Sequence, residues 1–186
     1  MENSVKKINM LDAVQLFFKN YFNFYGRSSR SEFWWFVLAY FIVAILAVCM
    51  DAIMVWYYTI SSVYDGMDYA NPYDVYYSPM LGAASLIGMT SLTSRRLQDM
   101  GRTGWWQAGL YLGQIPFFLF LALVFTSYFN PGVIAMAVIF GLAYLGYAIL
   151  ITVWCCLPPK EDHNKWGRNP LLPDARMTDL ISDESL

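Results

Sequence analysis

Glycine and arginine stand side by side three times in the chain, at Gly26-Arg27, Gly101-Arg102 and Gly167-Arg168, each time with tryptophan nearby. Glycine permits a tight turn that other residues resist. Arginine presents a planar fork that matches a carboxylate or a phosphate with two parallel hydrogen bonds. Indole rings settle at the depth of lipid headgroups. The first two copies each lead, through Ser or Thr, into a Trp-Trp pair, Trp34-Trp35 and Trp105-Trp106, which makes a faint internal repeat. The third lies in Asn164-Lys165-Trp166-Gly167-Arg168-Asn169-Pro170. Together with their neighbours these motifs nominate a binding collar of Arg27, Arg30, Glu32, Trp34, Trp35, Arg95, Arg96, Asp99, Arg102, Trp105, Trp106, Trp166 and Arg168. Its arginines can serve as plain anchors, bind anionic headgroups, or pair with each other's loops. For Arg27, Arg30 and Arg102 the candidate internal partners are Glu32 and Asp99.

Two other polar residues interrupt apolar sequence. Asp51 sits inside the first long hydrophobic run, about 27 Å along a helix entered at Phe33, which puts it near the far interface as a solvated carboxylate rather than an ion site. Gln114, beside Pro116, is placed to bond across helices to Thr90, Ser91 or Ser94. Metal, redox and nucleotide chemistry find no support. His163 is the only histidine, and Cys49, Cys155 and Cys156 lack ligand spacing. There is no phosphate-cradling glycine loop and no nucleophile with a base, so no catalytic residue, cofactor or metal is expected and the protein is read as a non-enzyme.

The elements that must position the collar are set by the solvent. Hydrophobic residues make up 58% of the chain and charged ones 14%, with a mean hydropathy of +0.38. From Thr103 to Pro159 there are 57 residues without Asp, Glu, Lys, Arg or His. A helix crosses the hydrocarbon core in about 20 residues, so this stretch holds two crossings around the turn Asn130-Pro131-Gly132. Long apolar runs without alternation exclude a barrel, which leaves an all-α membrane protein. Spans are predicted at about 33–57, 79–97, 105–125 and 133–157, the second being rich in small residues and opened by Pro79. Gly109 and Gly113, Ala84 and Gly88, and Ala137 and Gly141 form small-residue pairs suited to close helix packing.

Orientation follows from the twelve basic residues. Five fall in 1–32, three in 94–104 and four after Pro159; the two remaining loops carry none. The positive-inside rule then places both termini in the cytoplasm and the Asp- and Tyr-rich loop 58–78 outside. Before the first span, Met10, Val14, Phe17 and Tyr21 recur at helical spacing opposite Asp12, Gln15 and Lys19. Such a helix can lie flat on the inner leaflet or pack on the ends of the spans. No secretory signal is visible ahead of the first span. The segment 158–186 reads as a cytoplasmic tail whose acidic end, with Asp174, Asp179, Asp183 and Glu184, is disordered.

At these motifs the chain resembles a family of small bacterial inner-membrane proteins grouped as domain of unknown function 805. The resemblance rests on Tyr21 to Trp35, on Arg95-Arg96-Leu97-Gln98-Asp99 through Trp106, and on Asn164 to Pro170. It implies a multi-pass protein of the bacterial inner (cytoplasmic) membrane and carries no established activity. The expected role is a non-enzymatic scaffold whose partners are anionic lipid headgroups at the inner face, a second copy of the chain or another membrane protein, and not nucleic acid. The alternative is an oligomeric transporter or channel for small solutes or ions, using Asp51, Gln114 and the serine-rich second span.

Overall fold

The computed structural model describes residues 8–65, 76–126 and 128–172. Over them the chain forms helices α1 (Met10–Lys19), α2 (Arg30–Asp65), α3 (Tyr77–Asp99), α4 (Ala108–Thr126) and α5 (Pro131–Cys156). A 3-10 turn at Gly104–Gln107 leads into α4, and strands β1 (His163–Asn164) and β2 (Gly167–Arg168) make a small antiparallel hairpin. The N-terminal basic residues Lys6 and Lys7, Asp68 and Asp74 of the predicted outer loop, and the acidic segment from Asp174 lie outside the described residues.

Among the described residues, three helices are long and apolar enough to cross a membrane: Arg30–Tyr64, Gly104–Thr126 and Pro131–Cys156. Only 11%, 6% and 6% of their most apolar windows are buried, so side chains such as Phe118, Leu119, Leu142 and Leu145 face outward. A continuous apolar surface of that extent is unsustainable in water and natural in lipid.

The boundaries shift from those predicted. The first helix continues eight residues past Tyr57 to Asp65, so the expected loop 58–78 is helical at its start. The second begins at Tyr77, two residues before Pro79, and runs to Asp99. Proline has no N–H to lose in a first turn, so it sits inside the helix there without breaking it. With its serines, threonines and glycines, α3 falls short of the apolarity of the other three, although at about 1.5 Å per residue its 23 residues are long enough to span. The predicted third span opens as a 3-10 turn before α4, and the fourth starts at Pro131 with the Asn130 side chain accepting from Gly132 N at 2.9 Å.

The buried core lies at one end of the bundle. Ala13 and Phe17 of α1, Phe33 and Phe36 at the start of α2, Leu92 and Leu97 late in α3, and Ile151, Trp154 and Cys155 late in α5 are its members. Helix α1 is opened by a reciprocal cap, Asn9 Oδ1 accepting from Asp12 N at 2.9 Å and Asp12 Oδ2 from Asn9 N at 3.4 Å. It packs on α2 and α3: the Phe17 ring stacks on Phe36 with centroids 3.7 Å apart, and the Tyr21 hydroxyl donates to Ala84 O. A Cβ at Gly88 would stand 2.2 Å from the Phe17 ring, so the small residue predicted for helix packing serves α1. On the opposite side of α1, Leu11 and Phe18 remain exposed, as does Phe22 in the turn that follows the helix. The other small pairs serve the α4–α5 contact, with Gly109 and Gly113 against Tyr147 and Tyr144, and Gly141 against Phe117.

Candidate functional site

The three Gly-Arg turns share one backbone feature. Gly26, Gly101 and Gly167 have φ of +111°, +74° and +124°, the left-handed region where a side chain is strained. Each turn delivers the following arginine to the same end of the bundle that holds the core.

Arg27 is spent inside the protein. Its Nε donates to Asp99 Oδ1 at 2.7 Å, Nη1 to the carbonyls of Asp162 (3.3 Å) and Gly167 (3.2 Å), and Nη2 to Glu161 O (2.9 Å). Arg96 pairs with the other oxygen of Asp99 and donates to Cys155 O at 3.0 Å, Ser28 O at 3.2 Å and Leu157 O. Arg95 reaches Glu32 Oε1 at 3.0 Å and Ser28 Oγ at 2.9 Å. All five of these charged residues are buried. Burying a guanidinium is costly unless its charge is paired and its donors find acceptors, and for Arg27 and Arg96 Asp99 supplies the counter-charge while backbone carbonyls take the remaining donors. Among the described residues, three cations against two carboxylates leave the lattice with one excess positive charge, and Arg95 Nε and Nη2 have no partner.

Local sequence explains why the lattice forms. Ser29-Arg30-Ser31-Glu32 is a helix-opening motif, and Ser29 Oγ accepts from Glu32 N at 3.1 Å as such a cap should. The Glu32 side chain does not complete the box. It accepts from Ser28 Oγ at 2.9 Å and turns to Arg95. In the tail, Asn164 Oδ1 accepts from Trp166 N at 3.0 Å and Asn164 Nδ2 donates to Gln98 O at 2.9 Å, which fixes the hairpin over the end of α3.

The partners differ from those expected. Among the described residues, of Arg27, Arg30 and Arg102 only Arg27 pairs with a carboxylate, and the other two ion pairs come from Arg95 and Arg96. Arg102 lies over the Trp154 ring at 3.6 Å, and Trp106 meets the same ring edge-on at 5.2 Å. Arg30 and Arg168 are exposed, with Trp34, Trp35, Trp105 and Trp106 also exposed and Trp166 half-buried. The collar residues therefore divide into an internal lattice and an outer rim.

Asp51 is not solvated. It is 6% exposed, and its two oxygens accept from Tyr77 N at 2.9 Å and Ser78 N at 2.8 Å. With Pro79 lacking an N–H and Met80 N bonded to Tyr76 O at 3.1 Å, the first donors of α3 are satisfied by a carboxylate carried on α2. Gln114 is exposed on α4 and makes no hydrogen bond among the described residues; the cross-helix amide is Gln107, whose Nε2 donates to Thr90 O at 3.0 Å. Ser91 and Ser94 are taken by carbonyls of the 20–24 segment. Gln107, Ser28 and the tail carbonyls are the site residues missed from sequence. For Gln107 a signal existed: it is an amide immediately after Trp105-Trp106, at the mouth of an uncharged span.

Beside the lattice, between the end of α3, the 3-10 turn and the hairpin, lies a cavity of about 480 Å³. Gln98, Gln107, Thr90, Tyr111, Trp105 and Lys165 are among its lining residues.

Fold and site together define an all-helical protein with, among its described residues, three membrane-competent helices, and a buried ion-pair lattice that ties the start of α2 to the ends of α3 and α5. The family model "Protein of unknown function (DUF805)" matches residues 21–168, and the chain belongs to that family. No curated protein and no solved structure matches the chain.

Proposed function

We propose that the protein is a non-enzymatic, multi-pass component of the bacterial inner membrane, crossing four times with both termini inside. In this reading the cytoplasmic end is a rigid platform for anionic lipid headgroups. One observation carries it: the collar arginines split, Arg27, Arg95 and Arg96 being locked into the lattice while Arg30 and Arg168 stay exposed among outward indoles. The locked set stiffens the platform. The exposed set supplies what a charged leaflet attracts, each basic residue contributing about 1 kcal/mol at its surface. Leu11 and Phe18 on α1, with Phe22 just beyond its end, add exposed apolar side chains suited to the same interface. Two observations weigh against the transporter alternative: Asp51 accepts from the Tyr77 and Ser78 N–H groups, and Gln114 is exposed on α4.

The test is stabilisation of the detergent-purified protein by phosphatidylglycerol relative to phosphatidylcholine. Wild type should gain thermal stability from the anionic lipid, and Arg30→Gln with Arg168→Gln should lose much of that gain without losing the fold. Equal response to both lipids would remove the platform reading.

A further inference from the structure

Helices α3 and α4 meet near the lattice and part beyond it. Gln107 Nε2 donates to Thr90 O at 3.0 Å. The Tyr111 hydroxyl donates to Thr90 Oγ1 at 2.8 Å, since Thr90 spends its own proton on Leu86 O. Gln107, Tyr111 and Gln114 fall at i, i+4 and i+7, so they share one face as the 3-10 turn passes into α4. One turn past the Thr90 contact the pairing stops. There α3, running the opposite way, offers Leu86 and Ile87, and both are exposed. Gln114 is exposed as well and makes no hydrogen bond among the described residues.

Depth makes that amide costly. Gln114 stands ten residues after Gly104 and twelve before Thr126, the limits of its membrane-competent helix. At about 1.5 Å per residue it is about 15 Å from one end and about 18 Å from the other, the middle of a hydrocarbon core about 30 Å thick. A primary amide carries two N–H donors and an oxygen with two lone pairs, and acyl chains at that depth meet none of them. Helix α5 lies against a different side of α4, at Gly109 and Gly113, and among the described residues no side chain of α4 is buried. Phe118, Leu121 and Phe125 carry the Gln114 face onward, all three exposed.

Whatever covers this face must bring a donor and an acceptor to one depth. Lipid fails on both counts, because its ester oxygens accept without donating and lie near the headgroups. A second copy of the chain, inserted the same way, carries an identical amide at an identical depth. A two-fold axis along the membrane normal sets the two opposite each other, as an isologous interface does for any residue near its axis. Each Oε1 then accepts from the other's Nε2, and the flanking Phe118 and Leu121 pack around the pair. We propose that the protein dimerises through this face of α4, with the two Gln114 amides bonded reciprocally across the axis. The inference rests on the reading that α4 crosses the membrane, and it is independent of any lipid preference of the platform.

The experiment measures association of the full-length chain in phosphatidylcholine vesicles diluted over a range of lipid-to-protein ratios. Donor and acceptor dyes go on Val63→Cys, an exposed position away from α4, with the exposed Cys49 and Cys156 changed to serine. Energy transfer above the random level should persist on dilution. Gln114→Leu should need about tenfold more protein per lipid to reach half association, the order for two hydrogen bonds between helices in a bilayer. Gln114→Asn, which keeps the amide, should retain most of the affinity, and Ile139→Leu on α5 should change nothing. Because Gln114 is exposed in the single chain, the Leu variant should keep the wild-type tryptophan emission and fold. A monomer at every dilution, or Gln114→Leu associating as tightly as wild type, overturns the dimer. A nitroxide on Ile115→Cys reads the crossing separately. Relaxation by oxygen but not by a water-soluble nickel chelate puts this turn of α4 in mid-bilayer, so that a monomer there refutes the interface alone. Relaxation by the chelate shows water at the amide and removes the crossing and the dimer together.

Discussion

Replacing Arg27 by lysine keeps its charge and removes its shape. The guanidinium serves two clients at once, Asp99 through Nε and three tail carbonyls, of Glu161, Asp162 and Gly167, through its terminal nitrogens. A lysine ammonium is a single point with three donors and cannot span both. If it stays with Asp99, the tail loses its charge-assisted bonds, each worth roughly 1.5–3 kcal/mol. If it follows the tail, Asp99 is left to Arg96 alone. Allowing for partial repair by the ammonium, Arg27→Lys should cost about 2–4 kcal/mol, or roughly one to three powers of ten in the unfolding equilibrium. Arg30→Lys, three residues away on an exposed side chain, should change stability by at most about 0.5 kcal/mol. Denaturant titration in mild detergent, read by tryptophan fluorescence, measures both. Limited proteolysis adds a local readout, since a released tail should be cut at 160–168 before the bundle opens. If the two lysine variants unfold alike and the tail stays protected in both, the bidentate lattice is not what holds this end together.

Asp51→Leu should destabilise by about 1–2 kcal/mol, the range for losing a helix cap, through the freed Tyr77 and Ser78 N–H groups, and amide exchange should rise at the start of α3. Asp51→Asn, which keeps an acceptor, should recover part of the loss. Gly104→Ala should be worse than Gly146→Ala by thermal denaturation, because a Cβ at 104 would stand 1.9 Å from Ser94 Oγ while one at 146 meets nothing within 4 Å. For topology, Ser62→Cys should react with a membrane-impermeant thiol reagent in intact cells, and Thr103→Cys only after the membrane is opened; reaction of Thr103→Cys from outside would refute the four-crossing arrangement.

The membrane helices were readable because lipid imposes a rule that composition alone reveals: long uncharged runs must be helical. The Gly-Arg turns were readable for a similar reason, since glycine before a functional residue advertises a backbone that others resist, and all three glycines have positive φ. Pairing was not readable. Asp99 sits three residues from Arg96 and seventy-two from Arg27, and sequence spacing ranks neither Arg102 nor Arg30 below them. The fate of Asp51 depended on where α3 begins, and that start precedes the proline that sequence reasoning took as its marker. The hairpin at 163–168 was hidden because two-residue strands carry no periodicity. Gln98 stands within the Arg95–Asp99 motif, and spacing says nothing of which of its atoms are bonded. That its nitrogen holds Phe24 O while its oxygen is left over among the described residues is a property of three-dimensional accounting.

The lattice also sets an order for biosynthesis. Arg27 emerges from the ribosome long before the carbonyls it needs, which lie 134 to 140 residues further along. Arg96 likewise waits on Cys155 and Leu157. During that interval the guanidiniums must stay hydrated, and the early helices cannot close over them. The end of the bundle is therefore sealed only when the hairpin arrives, like a drawstring pulled after the bag is filled. A chain cut short before residue 161 would present unsealed cations beside an exposed polar core, a difference that a membrane quality-control protease could read.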